Sequence, residues 1–385
     1  MAGETSGDSL GAGLMRELKQ RIPDISFEGI GGPQMQALGC RSLYPMERLS
    51  IIGFDAIGKY PEILGMRNEL ADHFISRPPD LFIGIDVPDF ALGLEEKLKS
   101  AGIPTIHYVS PTVWAWRTYR IRKIRRAVDH MLTLFPFEAK LYRRHHVPVT
   151  FVGHPLADQI AERYDMRAIR RKLHLPEKAT VVALLPGSRM SELERHADLF
   201  VKTAMRLHQC RPGIRFVAPF VSSETQAYFE RALYRHGAWF LPVTIVTNRS
   251  REAMAAADIV VLASGTATLE AALLRKPMVV TYRVSWLSYL LVRPFLHVDL
   301  YALPNILAGR RLVPELIQSR ATPVNLAEAV EFYLAHPDKV KSVRSALGEI
   351  HHSLRQHADE RAAEAVLKLL KSPHPAAASA VAVAN

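Results

Sequence analysis

Short apolar runs alternate with amphipathic stretches along most of the chain. Apolar runs that end at Gly, Pro, Asp or Ser predict buried strands, and apolar residues spaced by three and four predict helices between them. This alternation is typical of α/β units with parallel sheets. The predicted strands lie in the segments 80–86, 104–110, 130–136, 149–155, 180–189, 214–220, 258–265 and 276–283.

The apolar rhythm breaks near residues 165–180, where a charged helix and a loop separate two series of strands. A length of 385 residues also suits two domains. We therefore expect two α/β domains that face each other, with ligands at the carboxyl ends of their strands. The predicted boundaries are a first domain at 1–166, a second at 167–345, a C-terminal helix at 346–371 and a mobile tail at 372–385.

Two acids follow the first long apolar run. The stretch "FIGIDVPDF" (82–90) leads from residues typical of a central parallel strand into Asp86 and Asp89. Asp86 is thereby predicted at the binding edge of the sheet. Asp89 is expected to cap the next helix, predicted at 91–102.

The N-terminal stretch "AGETSGDSLGAGLMRELK" (2–19) is typical of a strand-to-helix loop followed by an amphipathic helix. Such a loop normally follows a strand, yet only Met1 precedes it. Either the true start lies upstream or the first strand is missing, and a central strand buries enough apolar area to matter for stability.

Two glycine-containing loops are candidate anion sites, and the first is "LLPGSRMSELE" (184–194). Gly187 permits a tight turn, and the N–H groups at the helix start together with Arg189 can bind an anion. The alternative is an ordinary turn that is capped by Ser188, with Arg189 in solvent.

The second loop, "ASGTATLEAALLRKP" (263–277), repeats the arrangement, with Glu270 one turn into its helix. Its start carries four small residues, Ser264, Gly265, Thr266 and Ala267. A diphosphate on the helix N-terminus and ribose hydroxyls on the carboxylate would fit this pattern. The alternative is a helix cap with a favourable first-turn acid. Two such loops in one domain favour a nucleoside diphosphate.

Composition and charge narrow the class of protein. The chain is 48% apolar and 23% charged, which is ordinary for a soluble globular protein, and no apolar run approaches the ~20 residues of a membrane-spanning helix. A net charge of +11 favours anionic partners. Cys40 and Cys210 stand far apart, which argues against a disulfide framework or a zinc site and makes the cytosol the default.

Two further motifs do not support a site. "GFDAIGKY" (53–60) nearly spells a P-loop, but it ends in Tyr60 where Ser or Thr should hold Mg²⁺. The histidine pairs at 145–146 and 351–352 are adjacent in sequence, so they do not face one site, and we expect them on the surface.

Three stretches near the candidate sites have open interpretations. The apolar stretches 49–66 and 286–298 could be ordinary buried segments or exposed patches that meet lipid or an acyl chain. The basic stretch 117–130 carries cations on both sides of an apolar stripe of Ile121, Ile124 and Val128. It could bind RNA, but no RNA-binding signature accompanies it, and an anionic lipid surface fits at least as well.

Six motifs occur in a fixed order: "AGETSGD", "GIDVPDF", "IHYVSPTVWAWR", "LPGSR", "SGTATLE" and "LPNILAGR". Together they resemble the lipid-A-disaccharide synthases of Gram-negative bacteria, from Ala2 to about residue 370. The resemblance implies a GT-B glycosyltransferase with two facing Rossmann-like domains. The first would receive the acceptor and face the membrane, and the second would bind a UDP-sugar. Family members usually begin further upstream, with a strand before the first motif.

The resemblance also implies the reaction and its partners. UDP-2,3-diacylglucosamine and 2,3-diacylglucosamine 1-phosphate (lipid X) would give a β-1,6-linked disaccharide 1-phosphate and UDP. No metal or other cofactor is expected, and no nucleic acid. The enzyme would work on the lipid surface at the cytoplasmic face of the inner membrane, as a homodimer that exchanges C-terminal parts.

Residue roles follow from the same resemblance. Asp86 would be the base that takes the proton of the acceptor hydroxyl, and Glu270 matches a carboxylate aimed at ribose. The expected contacts of the UDP-sugar are Gly187, Ser188, Arg189, Ser264, Gly265, Thr266, Ala267, Glu270 and Asn305. The expected residues of the acceptor cleft are Glu4 and Ser6. The expected membrane or acyl patch consists of Ile51, Ile52, Phe54 and Ile57.

Two rival functions remain open at this point. Another GT-B enzyme on a UDP-sugar, such as an epimerase or a peptidoglycan glycosyltransferase, would share the "SGT…E" loop but not "GIDVPDF" and "VSPTVWAWR". A basic lipid- or RNA-binding protein without activity would not require Asp86.

Overall fold

In a computed structural model of the chain, the predicted apolar runs form two all-parallel sheets, and a separate parallel pair of strands makes a third sheet. The chain divides into two compact units, Met1–Asp158 with Leu354–Asn385, and Gln159–Ser353. The first unit thus ends before the predicted boundary at 166, and the C-terminal segment belongs to it. The described residues are 1–50, 60–113, 120–283 and 300–371.

Several interpretations fall outside these described residues. They concern the apolar patch of Ile51, Ile52, Phe54 and Ile57, most of the P-loop-like stretch, the apolar stretch 286–298 and the tail at 372–385.

The first unit contains a four-stranded sheet with the order β3-β4-β5-β6, and a separate parallel pair, β1 and β2. All four residues of β4 are buried, as expected for a central strand that is covered on both faces. Its strands are β1 Phe27–Gly29, β2 Cys40–Ser42, β3 Phe82–Ile85, β4 Thr105–Tyr108, β5 His130–Thr133 and β6 Val149–Phe151. Its helices up to the boundary are α1 Thr5–Arg21, α2 Pro33–Ala37, α3 Glu47–Ser50, α4 Tyr60–Ser76, α5 Pro88–Ser100, α6 Ile121–Ala127, α7 Pro136–Arg144 and α8 Pro155–Gln159.

The residues before the first loop make strand-like contacts. Ala2 forms a parallel bridge with Ile85 of β3, and its N–H donates to the carbonyl of Ile30 at 2.8 Å. The N–H of Ile85 donates to the carbonyl of Met1 at 2.8 Å. The residues at 3–4 that lead into α1 therefore leave the sheet beside the end of β3.

The second unit has a six-stranded parallel sheet in the order β12-β11-β10-β7-β8-β9. Counted from β7, this is the 3-2-1-4-5-6 order of a Rossmann sheet, whose direction of winding reverses between β7 and β10. Its strands are β7 Val181–Leu185, β8 Arg215–Phe220, β9 Val243–Thr247, β10 Ile259–Ala263, β11 Met278–Tyr282 and β12 Glu315–Ile317. Its described helices are α9 Met166–Lys172, α10 Met190–Cys210, α11 Ser223–Arg235, α12 Ser250–Ala256, α13 Ala267–Leu273, α14 Leu303–Ala308, α15 Pro323–Ala335 and α16 Pro337–Leu354.

The C-terminal region has two helices where the sequence predicts one at 346–371. Helix α16 ends at Leu354, and the backbone turns at His357, whose φ is 55°. Helix α17, Ala358–Leu370, begins directly after this residue. The carboxylate of Asp158 accepts from the N–H of His357 at 3.0 Å and from that of Ala358 at 2.7 Å, so it caps α17. Helix α17 then packs against α1 of the first unit.

Within the described ranges, no helix combines the length and the apolar character needed to cross a membrane.

Candidate functional site

Asp86 lies where β3 ends and the backbone turns sharply. Asp86 and Val87 both have left-handed backbone angles, with φ of 57° and 44°. The N–H of Asp86 donates to the carbonyl of Tyr108 at 3.0 Å, and its carboxylate accepts from the N–H of Val87 at 2.9 Å. A positive φ is unusual for a valine and costs about 1–3 kcal/mol. This strained turn places the half-buried Asp86 at the carboxyl edge of the sheet.

The neighbouring strand ends in a similar way. Val109 directly follows β4 and has a φ of 83°, while its N–H still donates to the carbonyl of Leu132 at 3.0 Å. Two adjacent strands therefore end in a non-glycine residue with a left-handed backbone, and such strain clusters at functional sites.

The first loop lies against the turn at Asp86. A Cβ on Gly3 would come within 2.3 Å of a methyl carbon of Val87, so only glycine permits this approach. Glu4 is the N-cap residue of α1 and Ser6 lies in the first turn of this helix, and both are exposed. The structure thus brings Gly3, and with it the start of α1 that carries Glu4 and Ser6, beside the turn at Asp86 and Val87.

The expectation that Asp89 caps the next helix is wrong. Helix α5 begins at Pro88 with Val87 in the N-cap position, so Asp89 lies inside the first turn. Its carboxylate instead forms an ion pair with Arg120. The pair connects the start of α5 to the residue that precedes α6.

Two buried polar contacts in the first unit were not predicted. The carboxylate of Asp8 accepts from the N–H of Gln34 at 2.9 Å and of Met35 at 3.0 Å. Glu95 and His107 are both fully buried and lie 2.8 Å apart. A charged residue on the apolar face of α5 is the signal that points to Glu95.

In the second unit, the two candidate loops leave the sheet side by side. Strands β7 and β10 are neighbours, and Leu185 pairs with Leu262 at their carboxyl ends. The loops at 186–189 and 264–267 therefore flank the point where the winding of the sheet reverses. Open α/β sheets bind ligands at this point.

The loop at 187–189 is built around Glu192. Gly187 has a φ of 141°, and the carboxylate of Glu192 accepts from the N–H of Ser188 at 2.9 Å and of Arg189 at 3.4 Å. Arg189, not Ser188, occupies the N-cap position of α10. The Arg189 side chain is exposed and pairs with no carboxylate among the described residues.

The loop at 264–267 continues the sheet and then starts α13. The N–H of Ser264 donates to the carbonyl of Thr281 at 2.8 Å. Gly265 and Thr266 are exposed, and Ala267 is the first residue of the helix. The loop therefore presents backbone to solvent beside the 187–189 loop.

Glu270 lies half-buried in α13, one turn beyond this loop. Burial raises the pKa of its carboxyl group, and Arg251, 4.0 Å away, partly counteracts the rise. The carboxylate is thus set to accept hydrogen bonds from a neutral donor such as a hydroxyl group.

Asn305 is fully buried, and its side-chain amide is engaged within the chain. Nδ2 donates to the Val313 carbonyl and to Glu315, both at 2.9 Å. Oδ1 accepts from the N–H of Leu312 at 2.8 Å and of Val313 at 2.9 Å. The expected direct contact with a UDP-sugar therefore has no hydrogen-bonding group of Asn305 left to serve it, and its visible role is to shape the segment 302–315.

The basic helix α6 buries Ile121 and Ile124 and exposes its arginines, while Lys123 is half-buried. The exposed arginines are Arg122, Arg125 and Arg126. This arrangement matches the amphipathic pattern predicted from the sequence.

The histidine pairs differ from each other. His145 and His146 are exposed, as expected, and so is His352. His351, however, is fully buried in α16, so its expected surface position is wrong. In the described part of the chain, no three His, Cys, Asp or Glu side chains are grouped to hold a metal ion.

Solved structures of low sequence identity share the fold. A UDP-GlcNAc 2-epimerase from Neisseria meningitidis, bound to UDP-GlcNAc, matches with a TM-score of 0.62 at 13% identity, covering 96% of this chain and 98% of its own. Anabaena HepE, in complex with UDP and glucose, matches with a TM-score of 0.55 at 15% identity, covering 97% and 99%. These likenesses confirm the α/β fold of GT-B type.

Relatives of higher identity and a family model agree on one family. A lipid-A-disaccharide synthase of Azotobacter vinelandii is 52% identical over 371 residues, covering 96% of this chain and 97% of the relative. One from Methylobacillus flagellatus is 48% identical over 372 residues, covering 96% and 98%. The family model for lipid-A-disaccharide synthetase matches residues 1–369. The chain therefore belongs to the lipid-A-disaccharide synthetase family.

Proposed function

We propose that the protein transfers 2,3-diacylglucosamine from UDP-2,3-diacylglucosamine to the 6-hydroxyl of 2,3-diacylglucosamine 1-phosphate (lipid X). The products are the β-1,6-linked lipid A disaccharide 1-phosphate and UDP. Family membership across nearly the whole chain supports this glycosyltransferase activity. The structural observation that carries it is the register of β7 against β10, which sets the Arg189 loop beside the loop that leads to Glu270.

Asp86 is the general base of this reaction. The acceptor 6-oxygen attacks the anomeric carbon from the face opposite UDP, and the bond from that carbon to the diphosphate oxygen breaks with its electron pair. Asp86 takes the proton of the hydroxyl as the new bond forms, which contributes typically 10²–10⁴-fold. Its position at the end of β3, where the backbone turns, supports this role.

The second unit binds the donor. Charge develops on the diphosphate in the transition state, and the exposed Arg189 guanidinium and the backbone at 264–267 stabilise it. Glu270 accepts hydrogen bonds from the ribose hydroxyls. Asn305 acts indirectly, because its hydrogen bonds to Val313 and Glu315 hold the segment 302–315 in its conformation.

The transfer needs no metal ion or other cofactor. Arg189 and the backbone amides at 264–267 are the groups that balance the charge of the leaving UDP. Full activity in excess EDTA supports this assignment, and activity restored only by added Mg²⁺ or Mn²⁺ contradicts it.

The acylated substrates place the enzyme on the lipid surface at the cytoplasmic face of the inner membrane. The exposed arginines of α6 and the apolar residues at 51–57 are the expected contacts with this surface. Liposome binding should fall when Arg122, Arg125 and Arg126 become glutamate, and when Ile52 and Phe54 become aspartate. Unchanged binding in both variants contradicts membrane association.

The protein acts as a homodimer that exchanges C-terminal parts. Helix α17 packs on α1 and is separated from α16 by the turn at His357. This arrangement supports an exchange of α17 between two copies. Light scattering should give a dimer for the full chain, and a chain that ends before α17 should give monomers or fail to fold.

The deciding experiment measures single-turnover formation of disaccharide and UDP from both acylated sugars in detergent. Asp86→Asn should abolish the transfer while UDP binding persists. Asp89→Asn, three residues along the chain, is the matched control and should keep most activity because its carboxylate pairs with Arg120. UDP-sugar binding without disaccharide in the wild type would favour another GT-B activity, such as epimerisation.

A further inference from the structure

We propose that Glu192 is a positioning residue for the donor. Its carboxylate occupies the backbone N–H groups of Ser188 and Arg189 and leaves the diphosphate of the UDP-sugar to the Arg189 guanidinium. This inference rests on the proposed UDP-sugar site and states which groups of its first loop bind the donor.

The side chain of Glu192 fills the space beside position 187, so this position has no room for a side chain. A Cβ on Gly187 would lie 2.4 Å from the Cβ of Glu192 and 2.8 Å from its Oε2 atom. The φ of 141° at Gly187 is a second reason for glycine at this position. The backbone of the loop and the side chain of Glu192 therefore fit together as one unit.

The hydrogen bonds of this unit use the groups that an anion would need. Oε2 of Glu192 accepts from the N–H of Ser188 at 2.9 Å and of Arg189 at 3.4 Å. A phosphate on the same N–H groups would have to displace the carboxylate, and until then it would meet a like charge. The N–H groups of Ser188 and Arg189 are thus already bound to an anion, the carboxylate of Glu192.

The side chain of Arg189 remains available. It is exposed, and within the described ranges no carboxylate pairs with it. Because Glu192 fixes the backbone of Arg189 at the N-cap of α10, it also fixes where the guanidinium starts. A guanidinium binds a diphosphate with charge-assisted, paired hydrogen bonds, and these depend on geometry.

The test compares Glu192→Ala, Glu192→Asp and Glu192→Gln with Arg189→Ala. Glu194→Ala is the matched control, since it removes an exposed carboxylate from the same helix turn. The measurements are the Kd of UDP by calorimetry, and kcat and the KM of each substrate by product formation. Thermal unfolding monitors the fold of each variant.

The Kd of UDP and the donor KM should rise about ten-fold in Glu192→Ala, and kcat should fall because Arg189 also stabilises the transition state, while the acceptor KM should change little. Glu192→Asp keeps the charge but is too short to reach both N–H groups, so it should show the same changes as Glu192→Ala. It provides the test of the proposal if the alanine variant does not fold. Glu192→Gln retains an acceptor oxygen and should recover most of the affinity. Glu194→Ala should match the wild type.

Two results overturn the proposal, and they are distinct. Unchanged or tighter UDP binding in both Glu192→Ala and Glu192→Asp would mean that the carboxylate is irrelevant or competes with the phosphate. Unchanged UDP binding in Arg189→Ala would instead show that the donor site itself is misplaced, and the role of Glu192 would fall with it.

Discussion

The side-chain amide of Asn305 donates to the carboxylate of Glu315 at 2.9 Å and thereby ties helix α14 to strand β12. The same carboxylate oxygen accepts from the N–H of Tyr301 at 3.0 Å and of Ala302 at 2.7 Å. The residues on both sides of helix α14 are thus held by two side chains that bind each other.

Asn305→Asp should destabilise the protein strongly. The new carboxylate oxygen would face the Val313 carbonyl and the Glu315 carboxylate, where an N–H group now donates. We expect the free energy of unfolding to fall by about 3 kcal/mol or more, because buried acceptors lose their donor and like charges meet. Urea denaturation measures it. Asn68→Asp in helix α4 is the control and should change little, because the exposed Asn68 side chain only accepts, from Lys97. A loss of UDP binding at unchanged stability in Asn305→Asp would instead indicate direct ligand contact.

Gly84→Ala should also destabilise the protein, through the pair that Glu95 forms with His107. A Cβ at position 84 would lie 2.0 Å from Oε1 of Glu95, which is fully buried and cannot move into solvent. We expect a loss of about 2–4 kcal/mol. Gly65→Ala in helix α4 provides the contrast: nothing lies within 4 Å, so its stability should rise by about 0.5–1 kcal/mol. Equal melting temperatures would contradict this reasoning.

UDP affinity should fall as the pH drops through the pKa of Glu270. Burial raises this pKa above the ordinary 4.5, and ribose hydroxyls that donate to the carboxylate favour its ionised form. Protonation therefore competes with binding, and at a higher pH than for an exposed glutamate. Calorimetry across the acidic range should show the loss in the wild type, and Glu270→Gln should bind more weakly with little dependence on pH. A parallel pH dependence of both proteins would exclude Glu270 as the cause.

Lys276 should make the stability depend on pH. Its ammonium group donates to the carbonyls of Ala255 at 2.8 Å and Ala257 at 2.7 Å, while burial lowers its pKa from 10.5 to about 7. Between these values the unfolded chain binds more protons, so the free energy of unfolding should rise with pH, by up to about 1.4 kcal/mol per pH unit. Lys276→Met should remove this rise between about pH 7 and 9. Urea denaturation of both proteins tests it, and equal slopes would contradict a lowered pKa.

The sequence predicts the strands best where both faces are buried. Strands β4, β7 and β10 are buried at every position, and each lies inside a predicted apolar run. Strand β9 was not predicted, because its residues are half-buried or exposed and its pattern mixes Val with Thr. Strand β12 was not predicted either, because its three residues begin with the charged Glu315 and form no apolar run.

At the candidate site, the sequence places the loops but not the hydrogen bonds within them. Asp86 and the two glycine loops follow strands, and the carboxyl ends of neighbouring strands meet whatever the side chains do. The hydrogen bonds from the Ser188 and Arg189 amides to Glu192 depend on where that side chain lies. The ion pair of Asp89 with Arg120 depends on side-chain position in the same way. Asn305 shows the same limit, since a motif position cannot reveal that all its hydrogen bonds are internal.

The left-handed valines at the ends of β3 and β4 have a consequence for laboratory evolution of this enzyme. Val87 and Val109 keep φ values of 44° and 83°, which glycine adopts without strain. Val87 is buried in an apolar cluster and Val109 packs against another, so glycine would relieve the strain but lose these contacts, and a screen for heat resistance should retain valine at both positions. The packing of the same two side chains thus holds the strained backbone at this edge of the sheet in place.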